Sequence, residues 1–195
     1  MSATNRNSQR DPRDWYRTPA WAVQELLGSL PAFYPTLDPC AGDGAILEAI
    51  AGVYPDSAVV GVEKDEELTA VAQKRGVAVV QGDGLSLDWV GETVLMNPPY
   101  RDAESWVRKG IEEADSVACL LRLGFLSSLK RHPLFSDHPP SLVLVFSKRP
   151  SFRDDGKTDA CDYAWIVWSR HQVGFLDGET RVGWIKPTAR ERSRK

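Results

Sequence analysis

The chain has 195 residues, of which 42% are hydrophobic and 26% are charged. This profile indicates one globular domain that buries about 70% of its unfolded surface, and it leaves no room for two well-developed domains. The net charge of −3 argues against a polyanionic partner, but the charge is unevenly distributed. Residues 38–92 hold 11 acidic and 3 basic residues, whereas residues 93–195 hold 17 basic and 13 acidic residues, so a polyanion could still bind to the second half.

Other classes of protein are disfavoured by the pattern of the chain. No apolar run reaches the roughly 18 residues of a membrane span, and the N-terminus has no apolar core of a secretory signal. Three widely spaced cysteines predict neither a disulfide framework nor a zinc site, and they suit a reducing compartment such as the cytoplasm. The three histidines form no metal-binding pair, so we expect no metal.

The elements follow in a regular order between two polar tails, residues 1–14 and 187–195, which flank a domain at 15–186. A first helix is predicted over Ala20–Leu27, with Thr18 as N-cap, Pro19 at the first position and Gly28 at the end. Strands and helices then alternate, which predicts a mostly parallel sheet with helices on both faces. The predicted strands are Thr36–Asp38, Ala58–Glu63, Val77–Gln81, Thr93–Asn97, Ser116–Leu121, Ser141–Phe146 and Tyr163–Trp168, and the helices are Gly44–Val53, Asp65–Lys74 and Asp102–Ala114. The last two strands lack a helix between them and predict antiparallel pairing at the sheet edge.

The first strand ends in a tight turn, Asp38-Pro39-Cys40-Ala41-Gly42-Asp43-Gly44. Its two glycines permit close approach of a ligand to the backbone at the start of a helix. The turn lacks the third glycine of a dinucleotide site and the Lys of a P-loop. Taken alone it is equally compatible with a turn that binds nothing.

Acidic residues stand at the ends of the next two strands. Glu63 follows Gly44 by 19 residues, a position from which a carboxylate can accept bonds from ribose hydroxyls. Asp83 can accept a bond from an adenine amino group, although singly an Asp-Gly pair is more typical of an ordinary turn.

The fourth strand ends in Asn97-Pro98-Pro99-Tyr100, the most specific element of the chain. The prolines fix the backbone, so that the amide oxygen of Asn97 and the carbonyl of Pro98 can converge on one exocyclic amino group. Accepting both protons frees the nitrogen lone pair from the ring. Tyr100 offers an aromatic face for a flipped base.

The chain resembles the S-adenosylmethionine-dependent amino-methyltransferases, and most closely the small phage-type DNA N6-adenine methyltransferases. The resemblance spans residues 14–186 and rests on Tyr16-Arg17-Thr18-Pro19, Asp38 to Gly44, Glu63, Asp83, Asn97 to Tyr100, Leu121 to Leu126, Lys148 to Phe152 and Asp162 to Trp165. It implies a single Rossmann-like class I methyltransferase domain with a seven-stranded sheet and an antiparallel edge strand.

The resemblance also implies a site. Its catalytic residues would be Asn97, Pro98, Pro99 and Tyr100. Its cofactor-binding residues would be Tyr16, Thr18, Pro19, Asp38, Pro39, Cys40, Ala41, Gly42, Gly44, Glu63, Lys64, Asp83, Gly84 and Asn97, with Asp38 facing the ammonium of S-adenosylmethionine. Pro39-Cys40 also looks like the nucleophile pair of cytosine C5 methylation, but it lies in the wrong turn, and we interpret Cys40 as a small packing residue.

The expected activity is methylation of the N6 amino group of adenine in duplex or single-stranded DNA, in a bacterial or phage-infected cell. Substrate contacts are predicted for Tyr100, Phe152, Lys130, Arg131, Arg149 and Arg153, although Phe152 is equally compatible with capping the core. With little room for a recognition domain, sequence preference is expected to be weak or supplied by a homodimer or partner protein. The same chemistry on RNA or a protein glutamine, or a non-catalytic binding relative, remain alternatives.

Overall fold

The computed structural model describes residues 15–30, 32–152, 158–170 and 179–187. The chain forms an eight-stranded sheet in the order β3-β2-β1-β4-β5-β7-β6-β8. The strands are β1 (Leu37–Asp38), β2 (Val60–Glu63), β3 (Val79–Gln81), β4 (Thr93–Met96), β5 (Ser116–Arg122), β6 (Leu142–Phe146), β7 (Tyr163–Ser169) and β8 (Arg181–Ile185). All of them run parallel except β7, which is antiparallel to both β5 and β6.

The described residues form five α-helices, of which the first precedes β1 and the others connect strands: α1 (Ala20–Ser29), α2 (Ala45–Val53), α3 (Glu66–Lys74), α4 (Ala103–Glu113) and α5 (His132–Asp137). Short 3-10 turns occupy Gly84–Ser86, Leu123–Phe125 and Leu129–Arg131. The predicted α/β class with a mostly parallel sheet is confirmed. No helix in the described ranges is both long and apolar enough to cross a membrane.

Some details of the predicted elements are wrong, and the short helix α5 was not predicted. An eighth strand, β8, forms the sheet edge, and the antiparallel strand β7 lies inside the sheet. The strand β8 was not predicted because a glycine interrupts its short run of apolar residues and its pairing with β6 is a long-range contact. In α1 the N-cap is Pro19, Thr18 makes no capping bond, and Gly28 lies within the helix.

The core has two layers, one on each face of the sheet. On one face α1 and α2 pack, and the buried Trp165 donates from Nε1 to the carbonyl of Ala22 at 2.7 Å. On the other face α4 packs against the sheet, and its Trp106 lies in the same buried cluster as Trp168 of β7. The two tryptophans of β7, Trp165 and Trp168, are therefore both buried.

The topology brings the candidate residues together. Strands β2 and β3 are added on one side of β1, and β4 and β5 are added on its other side, so the strand order switches between β1 and β4. Ligands of such sheets bind at the carboxyl ends of the strands near that switch point. Asp38 ends β1, Glu63 ends β2, Asp83 follows β3, and Asn97 follows β4. All four residues therefore lie at the carboxyl ends of the parallel strands, on the same side of the domain.

Candidate active site

Asp38 is completely buried at the end of β1. Its Oδ1 accepts a bond from the backbone N–H of Cys40 at 3.2 Å, and its Oδ2 is buried with no hydrogen-bond partner among the described residues. Burial raises the pKa of this carboxyl to about 8, and the charge of Glu63 adds to the effect. A cationic ligand that reached Oδ2 would stabilise the ionised carboxylate.

The loop after β1 requires glycine at two places. Gly42 has φ 54° and Gly44 has φ 81°. A Cβ on Gly42 would collide with the indole ring of Trp15, so a side chain at this position would have to displace that ring. Burial, with the nearby carboxylates of Asp38 and Glu63, raises the pKa of Cys40 well above its usual value, so Cys40 remains a thiol rather than a nucleophilic thiolate.

Glu63 braces this loop with both of its carboxylate oxygens. Oε2 accepts from the N–H of Gly42 at 2.7 Å, and Oε1 accepts from the N–H of Asp65 at 2.8 Å. Each carboxylate oxygen has a further lone pair. The side chain is thus held in place and can still accept two more hydrogen bonds.

Asp83 is paired with Lys64 across the mouth of the site. Nζ of Lys64 lies 2.9 Å from Oδ2 of Asp83, and this bond lowers the pKa of Asp83 and raises that of Lys64. Oδ1 of Asp83 accepts from Leu85 N–H at 3.1 Å. Next to it, a Cβ on Gly84 would lie only 1.9 Å from the carbonyl oxygen of Pro39, so this position admits only glycine.

A cavity of about 440 Å³ opens among these residues. It is lined by Trp15, Tyr16, Pro39, Cys40, Glu63, Lys64, Asp65, Leu68, Asp83, Gly84, Asn97, Pro99 and Trp106. A smaller adjoining recess is lined in part by Thr18, Asp38 and Ala41. Most of the predicted cofactor-binding residues therefore surround one space.

Trp15 and Trp106 are cavity residues that sequence reasoning missed. Trp15 lies at the boundary of the polar tail, and Trp106 lies on the apolar face of α4, where its spacing is that of an ordinary core residue. Neither has a local signal, since tertiary packing alone brings both rings to the cavity.

Asn97 is held by the segment of residues 15–19, which we call the strap. Its Nδ2 donates to the carbonyl oxygen of Tyr16 at 2.9 Å and lies 3.0 Å from Oγ1 of Thr18. Its Oδ1 accepts from the hydroxyl of Tyr100 at 2.9 Å. The amide oxygen of Asn97 is therefore directed away from the strap.

Tyr100 is packed among aromatic rings. Its ring stacks on that of Tyr16 with centroids 5.4 Å apart and lies 5.7 Å from that of Tyr163. Burial raises the pKa of the Tyr100 hydroxyl well above its usual value, so it stays protonated and donates to Asn97. Phe152 is 8% exposed and contacts Tyr16 and Tyr163, the position of a loop aromatic that caps the core.

Arg122, the last residue of β5, also reaches Tyr100. Its Cζ lies 4.8 Å from the centre of the Tyr100 ring, a cation–π contact. Its Nε donates to the hydroxyl of Tyr163 at 3.3 Å, and that hydroxyl donates to Oδ2 of Asp159 at 2.8 Å. Sequence reasoning did not single out Arg122, although the end of β5 lies at the same edge as the other strand ends.

Three of the four predicted basic substrate contacts, Lys130, Arg131 and Arg149, lie apart from the cavity lining and are mostly engaged within the chain. Arg131 donates to the carbonyls of Phe125 and Gly124, and Arg149 forms an ion pair with Asp162 at 2.7 Å. Lys130 is strongly exposed, 3.7 Å from Glu104. Arg153 lies outside the described residues, and the described residues hold no cluster suited to a metal ion.

Neither a protein-family model nor a curated protein sequence matches this chain. Solved structures do match. The type I restriction-modification methyltransferase subunit from Streptococcus thermophilus aligns with a TM-score of 0.62 at 17% identity, over 81% of this chain and 45% of that chain.

A putative RNA methyltransferase from Pyrococcus horikoshii aligns with a TM-score of 0.62 at 19% identity, over 80% of this chain and 87% of that one. A putative class I S-adenosylmethionine-dependent methyltransferase from Listeria monocytogenes aligns with a TM-score of 0.57 at 13% identity, over 85% of this chain and 62% of that one. The chain thus spans less than two thirds of the Listeria and Streptococcus proteins. At these identities the likeness establishes the fold: the chain has the α/β fold of the class I methyltransferases.

Proposed function

We propose that the chain transfers a methyl group from S-adenosylmethionine to the exocyclic N6 amino group of adenine in DNA. The observation that carries the proposal is the Asn97 amide, whose nitrogen is bound to the strap while its oxygen is directed away from it, at the carboxyl end of β4. An oriented acceptor followed by the rigid Pro98-Pro99 backbone suits an amino group that must lose its conjugation with a ring.

The cavity and the small recess beside it offer acceptors for the polar groups of the cofactor. The unpartnered, buried Oδ2 of Asp38 calls for a cation or a hydrogen-bond donor, and the cofactor has an ammonium group. Glu63 has free lone pairs for ribose hydroxyls, and Asp83 is a carboxylate beside the glycine-lined wall at Gly84. S-adenosylmethionine, when bound, supplies an electrophilic methyl group on a sulfonium.

The protein's part in the transfer is positioning and charge stabilisation. The oxygens of Asn97 and Pro98 would accept the two protons of the target amine, which raises the nucleophilicity of its nitrogen. No strong base is required, because the alkylated nitrogen becomes acidic and releases its proton to solvent. The Tyr100 hydroxyl, which now donates to Asn97 Oδ1, would share that oxygen with the amine or move away.

Adenine in DNA is favoured by the resemblance of the Asn97 element and by the type I restriction-modification system methyltransferase subunit among the structural neighbours. RNA is the second candidate, since another neighbour is a putative RNA methyltransferase. The described residues show few unengaged basic side chains near Tyr100, so we propose weak sequence preference or recognition shared with a second copy or a partner protein.

One assay distinguishes these substrates. The chain is incubated with a labelled methyl donor and, separately, duplex DNA, single-stranded DNA, RNA and total protein, and the products are digested for mass analysis. We expect N6-methyldeoxyadenosine from DNA. Label confined to RNA or to glutamine would overturn the choice of substrate, and absence of transfer to all four would overturn the enzymatic proposal.

A further inference from the structure

The orientation of the Asn97 amide is fixed by chemistry as well as by geometry. A backbone carbonyl has no proton to give, so the Asn97 atom that lies 2.9 Å from the Tyr16 oxygen must be the donating nitrogen. If the amide rotated by half a turn, two oxygens would face each other at that distance. The second proton of the same nitrogen points to Oγ1 of Thr18 at 3.0 Å.

Thr18 is well placed to control this amide. The residue is 3% exposed, so water competes poorly for the hydroxyl. Among the described residues its hydroxyl bonds to Asn97 and to no N–H at the start of α1, where the N-cap is Pro19, although the sequence predicts that Thr18 caps the helix. The acceptor that a helix cap would use is instead directed at the nitrogen of Asn97.

The strap that carries Thr18 is itself anchored. Arg17, the preceding residue, binds Asp43 with 2.7 Å between Nε and Oδ2, and binds Glu48 with 2.9 Å between Nη2 and Oε2. Asp43 belongs to the loop after β1 and Glu48 to α2. These two ion pairs therefore fix the position of the Thr18 hydroxyl relative to the loop after β1, which forms part of the cavity wall.

We propose that Thr18 is a positioning residue for methyl transfer: together with the Tyr16 carbonyl, its hydroxyl holds Nδ2 of Asn97 so that Oδ1 faces the substrate amine. The role rests on the proposed function, because it acts through the amide that binds the target. The sequence suggests that Thr18 is a cofactor-binding residue, and its loss would then weaken cofactor affinity. In the role proposed here, loss of the Thr18 hydroxyl slows the transfer step and leaves cofactor affinity nearly unchanged.

Three variants test the role in steady-state and single-turnover transfer. Thr18→Val keeps the shape of the side chain and removes the hydrogen-bond acceptor, whereas Thr18→Ser keeps the hydroxyl. Thr36→Val is the control: it makes the same chemical change at the opposite end of the sheet, where the hydroxyl accepts from Thr93 N–H and donates to Glu92. We expect kcat to fall about 10- to 100-fold in Thr18→Val, the scale of a misplaced catalytic group, with KM for the cofactor within about threefold of its wild-type value. Thr18→Ser should recover most of the rate, and Thr36→Val should match the wild type.

A measurement without turnover separates the inference from the proposed function. The side-chain amide protons of Asn97 are observed by NMR in ¹⁵N-labelled protein, and their resonances are assigned by their loss in Asn97→Ala. Loss of the Thr18 acceptor should move one of the two resonances upfield in Thr18→Val and leave it in place in Thr18→Ser. If Thr18→Val changes neither the amide resonances nor kcat, the role of Thr18 is overturned. If the resonance moves but the wild-type protein transfers no methyl group, the proposed function alone is overturned.

Discussion

The guanidinium of Arg17 binds the buried carboxylate of Asp43, with 2.7 Å between Nε and Oδ2, and so ties the strap to the loop after β1. Arg75, at the end of α3, contacts the same carboxylate and also donates to the Asp43 carbonyl at 3.1 Å. One buried acid therefore joins three segments around the cavity. Both arginines remain about one third exposed, so solvent screens part of this interaction.

Replacement of Asp43 by Ala should destabilise the chain by about 1–3 kcal/mol, since two guanidinium groups lose their shared partner. The free energy of unfolding is measured by urea denaturation. Glu48→Ala serves as the control, because Glu48 is more exposed and contacts the same two arginines less closely, and we expect a smaller loss. Equal losses in the two variants would show that burial of Asp43 is not what gives the network its strength.

The stability of the ligand-free chain should depend on Asp38. Burial raises the pKa of Asp38 to about 8, whereas an unfolded aspartate titrates near pH 3.9. The folded chain therefore binds this proton more tightly, and the contribution of Asp38 to stability is complete below pH ~4 and is lost as the pH rises through 8. Between pH 5 and pH 8 the free energy of unfolding of Asp38→Asn should fall less steeply than that of the wild type. Parallel curves for the two proteins would contradict a raised pKa.

Gly84 should not tolerate a side chain. A Cβ there would meet the Pro39 carbonyl at 1.9 Å, so Gly84→Ala must move backbone and should cost about 1–3 kcal/mol of unfolding free energy. Gly28→Ala is the matched control: nothing lies within 4 Å of its Cβ, and the residue lies inside α1, where alanine is favoured by about 0.5–1 kcal/mol. The two changes should thus shift thermal unfolding in opposite directions, and a stable Gly84→Ala protein would refute the close approach.

Glu63 should contribute to cofactor binding. Glu63→Ala removes the acceptor of the Gly42 and Asp65 N–H groups together with the free lone pairs that suit ribose hydroxyls. We expect calorimetric titration with S-adenosylmethionine to show affinity reduced about 10-fold or more, the value of one or two hydrogen bonds to a charged group. Unchanged affinity in a folded Glu63→Ala protein would remove Glu63 from the proposed site.

The sequence predicted the parallel sheet and the residues at its strand ends because both depend on local pattern. Apolar runs separated by helical segments identify the strands, and Asp38, Glu63, Asp83 and Asn97 are each visible at the end of a run. The pairing of Lys64 with Asp83 and the contact of Arg122 with Tyr100 join residues distant in the chain, so no pattern within one segment could predict them.

The first helix shows where local rules mislead. Thr18-Pro19 has the composition of a helix start, but Asn97, 79 residues away, takes the threonine hydroxyl that a cap would use. The strand β8 was missed for the opposite reason: it has little local signal, and its pairing with β6 alone defines it. In both cases a long-range hydrogen bond decides the local structure.

The role of Asn97 is tested by comparing wild-type protein with Asn97→Ala in single-turnover transfer to adenine-containing DNA, with the product identified by mass. We expect N6-methyldeoxyadenosine from the wild type and a rate at least about 100-fold lower in the variant, since a preorganised hydrogen-bonding group at the reacting atom is lost. Circular dichroism checks that the variant is folded. A folded Asn97→Ala protein that transfers methyl groups at the wild-type rate would show that the Asn97 amide does not activate the target amine.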